Sequence, residues 1–157
     1  MKKRIREHIL QSEAECHCGC GKTPSETWLD MVNVLIEECG FPIPITSMVR
    51  CSQHNRKVGG SSNSPHLLVS YWHGAADLAC IDPQKRMKII EEAMFLYQDG
   101  CINHIEICDL HVHIASVPEN HPYFMCLHWG KSHTRNTVQR KAATNEGNGG
   151  KEGDVTA

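Results

Sequence analysis

Eleven histidines and nine cysteines stand out in a chain of 157 residues. Both side chains ligate transition metals, so a metal site is the first chemistry their types suggest. The candidates gather in two places: His66, His73 and Asp77 in the middle of the chain, and His111 and His113 further on. A catalytic zinc takes three protein ligands, usually His and carboxylate, and keeps a fourth position open to water. A loop-borne His, a carboxylate at the start of the next element and a strand His can converge on one ion from different directions. In SEAECHCGCGK, residues 12–22, Cys16, Cys18 and Cys20 alternate at a spacing of two, unlike the C-x2-C knuckles of structural zinc sites. A glycine-rich loop with partly buried thiols is expected there, with a metal or disulfide role as the alternative.

The remaining His and Cys have plainer readings. His8, His17, His121, His128 and His133 are expected on the surface, and Cys39, Cys80, Cys101, Cys108 and Cys126 as small buried hydrophobes.

Elements that would position these groups are punctuated clearly. Thr23 caps a helix that Pro24 opens, and Glu26 completes a T-x-x-E capping box. Trp28, Val32, Leu35, Ile36 and Cys39 form its apolar stripe, and Gly40 stops it. The prolines of FPIPIT limit that run to an edge strand or extended segment. Residues 50–66 are polar and turn-rich, the profile of a functional loop. A second helix is expected over 83–99, capped by Asp82, with Ile89, Ile90, Ala93, Met94 and Tyr97 inward and Gly100 at its end. Two strands follow at 101–107 and 110–114, joined near Cys108-Asp109. In the second, Leu110, Val112 and Ile114 alternate with His111 and His113, which puts both imidazoles on the face opposite the apolar one. From about Lys131 large apolar residues are few, so residues 131–157 read as a flexible tail on a domain of residues 1–130.

Composition excludes several classes. Sixteen Lys+Arg against eighteen Asp+Glu give no basic footprint for nucleic acid. No run approaches the roughly 20 apolar residues of a membrane span. The basic start MKKRIREHILQ is followed by no apolar stretch of signal-peptide length, so synthesis in the cytoplasm without a recognisable signal peptide is expected. An odd cysteine number in a reducing compartment leaves most of these residues as thiols. One small monomeric domain fits the length.

Four motifs in order carry a resemblance: R-C-x-x-H-N-x-x-V-G-G from Arg50, S-P-H ending at His66, A-A-D ending at Asp77, and H-V-H from His111. Together with SEAECHCGCG and PIPITS, they make residues 12–115 resemble the zinc D-alanyl-D-alanine carboxypeptidase family. These peptidoglycan peptidases include phage-type lysins and share a core with the Hedgehog signalling domain. The resemblance implies a small α+β domain, an antiparallel sheet with packed helices and one zinc in an open cleft. It implies His66, Asp77 and His111 as ligands and Arg50 as the holder of a peptide's terminal carboxylate, a task that suits the planar guanidinium fork. It implies metal-assisted amide hydrolysis, in which zinc polarises the carbonyl and lowers the pKa of water from about 15.7 towards about 7. Glu106 is the candidate base, five residues before His111 on the opposing hairpin arm, with Asp109 second.

Three departures mark this chain. Ten residues, LLVSYWHGAA, separate His66 from Asp77, four more than the family's S-x-H-x-x-G-x-A-x-D allows, so His73 is a rival ligand. As a bulging loop, the extra residues would bring Tyr71 and Trp72 to the cleft mouth. The usual S-G-Y-R reads Ser47-Met48-Val49-Arg50, which changes the pocket wall. The usual H-x-D reads His111-Val112-His113, so His113 replaces an orienting carboxylate, as a hydrogen-bond donor or as a metal ligand itself. The reading is a zinc peptidase acting on cell-wall stem peptides, cutting a terminal D-Ala or an L-Ala–D-Glu type bond, with phage-type release as one route to the wall. The alternative is a non-catalytic zinc-stabilised module that binds peptidoglycan or protein. A cysteine-based redox or metal sensor would rest on CHCGC alone and leaves the ordered His/Asp set unexplained.

Overall fold

A computed structural model describes residues 3–129. The proposed tail, residues 131–157, and His133 lie outside the described residues. Helix α1 is Gln11–Ala14, α2 Glu26–Cys39, α3 Ser52–Lys57 and α4 Pro83–Gln98. The strands are β1 Ile45–Ser47, β2 Gly74–Ala79, β3 His104–Ile107, β4 His111–Ser116 and β5 Cys126–Trp129. They form one sheet in the order β1-β2-β4-β3-β5, antiparallel except where β5 runs parallel to β3. The fold class is α+β, with α2 and α4 packed on one face of a mostly antiparallel sheet.

Period-two alternation splits the sheet into an apolar and a polar face. Leu78, Val112, Ile114 and Ile105 are at most 0% exposed and pack with Trp28, Val32, Leu35 and Ile36 of α2 and Ile89 and Ala93 of α4. Trp28 anchors this core: its indole is 1% exposed and donates to the Ala75 carbonyl at 3.2 Å. A buried Trp contributes about 3–5 kcal/mol. Gly74 lies so close that a Cβ there would come 2.7 Å from the indole. The helix α2 starts two residues later than its Thr23 cap predicts. Ser25 is the cap, its hydroxyl accepting from the Trp28 amide at 3.2 Å, and Gly40 closes the helix at φ 73°. The α4 helix begins as expected, with Asp82 accepting from the Lys85 amide at 2.9 Å.

The polar face holds one continuous row across all five strands. Ser47 pairs with Asp77, Asp77 with His113, His113 with Glu106, and Glu106 with His128. Among the described residues no helix is long and apolar enough to cross a membrane.

Candidate metal centre

That row becomes a site because three of its neighbours converge. The short 3-10 turn Pro65–Leu67 delivers His66 over the sheet, where its ring is 3% exposed. Its Nδ1 donates to the Met48 carbonyl at 2.8 Å, which turns Nε2 towards Asp77 Oδ2 at 3.2 Å. A metal-ligating His characteristically gives its second nitrogen to a carbonyl in this way, fixing tautomer and orientation. Because the acceptor is backbone, Met48 serves as well as the glycine that stands there in S-G-Y-R. From β4, His113 Nδ1 donates to Asp77 Oδ1 at 2.7 Å. His66, Asp77 and His113 thus offer three buried donor atoms within 4.8 Å of one another.

Burial alone would push the Asp77 carboxyl up, but hydrogen bonds from His113 and His66, with their charge, hold it well below the usual carboxylate range. The group therefore presents a carboxylate and two imidazoles, the donor set of a catalytic zinc site with one position open to a cleft. Three buried ring nitrogens beside it have no partner among the described residues: Nε2 of His113 and both nitrogens of His104. Buried polar atoms left unpaired cost about 1–3 kcal/mol each, so the pocket is built for a polar occupant.

A cleft of about 520 Å³ opens above the trio and brings together nearly every residue the sequence singled out: Arg50, His66, Asp77, Glu106, Asp109, His111 and His113 all line it. Their places differ from expectation at one point. The structure sets His113, not His111, in the compact trio. His113 is in register with Asp77, whereas His111 pairs with Ala79, two residues along the strand. His111 Nε2 consequently stops 3.7 Å from Asp77 Oδ1, with its side chain 32% exposed to the cleft. His73 is outside the cleft lining; it sits 3.5 Å from the Ser116 hydroxyl. The connection 68–73, between the 3-10 turn and β2, lies outside the cleft lining, and in it Tyr71 and Trp72 are exposed and pack edge-to-face.

Arg50 is held from several sides. Its amide donates to the His66 carbonyl at 2.8 Å, Nε to Ser47 Oγ at 3.0 Å and Nη1 to Asn55 Oδ1 at 3.3 Å, leaving Nη2 3.4 Å from Asp77 Oδ2. This explains the H-N-x-x-V-G-G motif. Asn55 is 2% exposed and also donates to the Ser61 carbonyl at 2.8 Å. A Cβ at position 60 would fall 2.1 Å from Asn55 Oδ1, so only glycine lets this bracket close.

His104 and Tyr123 also line the cleft, and His128, expected on the surface, is half-buried beside them. His104 stacks with both Tyr123 and His128, with centroids at 5.0 and 5.3 Å, and His128 Nε2 lies 3.7 Å from Glu106. His104 was legible in principle, since it shares a strand face with Glu106. His128 and Tyr123 were not, because β5 joins the sheet through a long-range parallel pairing. Of the cysteines expected in the core, Cys39 is buried, Cys80, Cys108 and Cys126 are partly exposed and Cys101 is exposed.

Burial, with the like charges of His113 and His128, pushes the His104 imidazole down to about 3, against about 6.5 in an unfolded chain. Between those values the unfolded state binds more protons, so stability is lost as pH falls from 6.5 towards 3, by up to about 1.4 kcal/mol per pH unit. In metal-free protein the denaturant midpoint is expected to drop between about pH 7 and pH 5, and His104→Phe is expected to flatten that drop. An equally steep drop in the variant would show that His104 does not cause it.

Compared with known proteins, residues 4–115 match a family model described as Peptidase M15. No match was found among curated proteins or among solved structures.

Proposed function

The chain belongs to the peptidase M15 family of zinc-dependent metallopeptidases, and from that premise we propose that it hydrolyses stem peptides of the bacterial cell wall, as a D-Ala-D-Ala carboxypeptidase or a related endopeptidase. The observation that carries this reading is the buried His66–Asp77–His113 trio sharing one cleft with Arg50 and Glu106. Bound there, zinc supplies Lewis-acid polarisation of the scissile carbonyl and makes water acidic enough to attack near neutral pH.

The chain's own residues supply the rest. Nε and Nη1 of Arg50 are fixed by Ser47 and Asn55, so the guanidinium presents its remaining N–H groups to a substrate carboxylate without having to be ordered first. Glu106, one strand over from His113, takes the proton of the attacking water and returns it to the leaving amine. His111, half-exposed in the cleft at the edge of the trio, donates a hydrogen bond to the carbonyl oxygen as it gains charge. In this reading His113 takes the ligand place that the resemblance assigned to His111.

The test is amine release from purified peptidoglycan and from a pentapeptide ending in D-Ala-D-Ala. Release is expected to vanish with chelator and return with zinc, and the residue released names the bond. A folded, zinc-loaded protein that releases nothing would transfer the reading to a non-catalytic binding module.

A further inference from the structure

Beyond the cleft, four thiols from two distant parts of the chain meet at one point. Cys16, Cys18 and Cys20 come from the loop after α1, and Cys51 from the residue next to Arg50; their sulfurs all lie within 4.8 Å of one another. Cys16 Sγ is 3.4 Å from Cys18 Sγ, and Cys18 Sγ is 3.5 Å from Cys51 Sγ. Four thiolates placed tetrahedrally about zinc at about 2.3 Å stand roughly 3.8 Å apart, close to the two separations above and inside the 4.8 Å that spans all four sulfurs.

The surrounding backbone is shaped for sulfur that carries charge. The Cys51 amide donates to Cys16 Sγ at 3.3 Å, and the His54 amide donates to Cys51 Sγ at 3.3 Å. The loop turns back on itself tightly: the Cys16 amide donates to the Lys22 carbonyl at 2.9 Å, and Gly19 and Gly21 take φ of 75° and 76°. Those left-handed positions suit glycine, which accounts for the C-G-C-G spelling. Lys22 Nζ then bridges the carbonyls of Arg50 and Leu67, at 3.0 and 2.9 Å. The loop has little apolar surface of its own to hold it, with Cys18 and Cys20 exposed.

We propose that Cys16, Cys18, Cys20 and Cys51 bind a second, structural zinc ion that clamps the N-terminal loop to the turn carrying Arg50. Soft thiolates in a tetrahedral S4 set select zinc among common divalent ions, and a closed four-ligand site leaves no position for substrate. The clamp would hold the Arg50 main chain from one side while Ser47 and Asn55 hold its guanidinium from the other. Disulfides are the competing use of these sulfurs, one leaving two thiols over and two leaving none.

The test uses the full chain, purified under reducing conditions, with metal counted by elemental analysis and cobalt substituted for zinc. Two metals per chain are expected, with a near-ultraviolet thiolate-to-cobalt charge-transfer band. His66→Ala/His113→Ala is expected to lose one metal and keep the band, because the cleft site offers only nitrogen and oxygen. Cys18→Ser/Cys51→Ser is expected to lose the band and one metal. If that variant does not fold, the wild-type count and the cleft variant's spectrum decide. A single metal with no charge-transfer band, a mass two or four daltons low that marks one or two disulfides, or iron with acid-labile sulfide would each overturn the proposal.

Discussion

Glu106→Gln is expected to leave the cleft metal in place and to cut peptide hydrolysis by about 10²–10⁴-fold, the usual worth of a positioned general base. The substitution keeps the side chain's length and shape and removes its capacity to take a proton. Glu106 lies outside the His66–Asp77–His113 trio, although its β3 position is directly paired with His113, so metal content is expected to be unchanged. Asp109 is the control. It is an exposed turn residue whose carbonyl accepts from Arg86 Nη1 at 2.6 Å, and Asp109→Asn is expected to be nearly neutral. Rates measured on the pentapeptide, with zinc content determined on the same samples, separate the cases. A fully active Glu106→Gln, or an inactive Asp109→Asn, would move the base elsewhere.

The second large effect contrasts two histidines only two residues apart. His113→Ala is expected to weaken metal binding by more than the roughly 10–100-fold that follows loss of an outer partner of a ligand, and to abolish hydrolysis with it. It removes the donor nearest Asp77, at 2.7 Å, and leaves only two side chains to hold the ion. His111→Ala is expected to keep the metal and lose rate, because its Nε2 stands 3.7 Å from Asp77 and faces the cleft. Competition with a chelator gives the affinities directly. Should His111→Ala release the metal while His113→Ala retains it, the third ligand would be His111, as the family resemblance implied.

Much of the scaffold could be read locally because its signals are local. The α4 helix announces itself with Asp82, Pro83 and an inward Ile89–Ala93 pair, and α2 with its apolar stripe. The strand carrying Val112 and Ile114 shows its period in a few residues. By contrast, β2 reads Gly-Ala-Ala-Asp-Leu-Ala, poor in the branched and aromatic residues that mark strands. It is a strand because β1 and β4 pair with it on both sides, and its small residues leave room for Trp28 on one face and the cleft on the other. The β5 strand has no local signal, and with it went His128.

For the site, the sequence by itself determined the cast: Arg50, His66, Asp77, Glu106 and the two imidazoles of β4 on a single face, all of which line the cleft. Spacing of two is enough to place His111 and His113 together, since strand geometry is the same wherever the strand lies. Which of them meets Asp77 was decided by the pairing of β2 with β4, where Asp77 faces His113 and Ala79 faces His111. The convergence of Cys51 on Cys16, Cys18 and Cys20 was decided in the same way. Register and loop docking depend on contacts between segments far apart in the chain, so only the assembled sheet selects between neighbours that the local pattern treats alike.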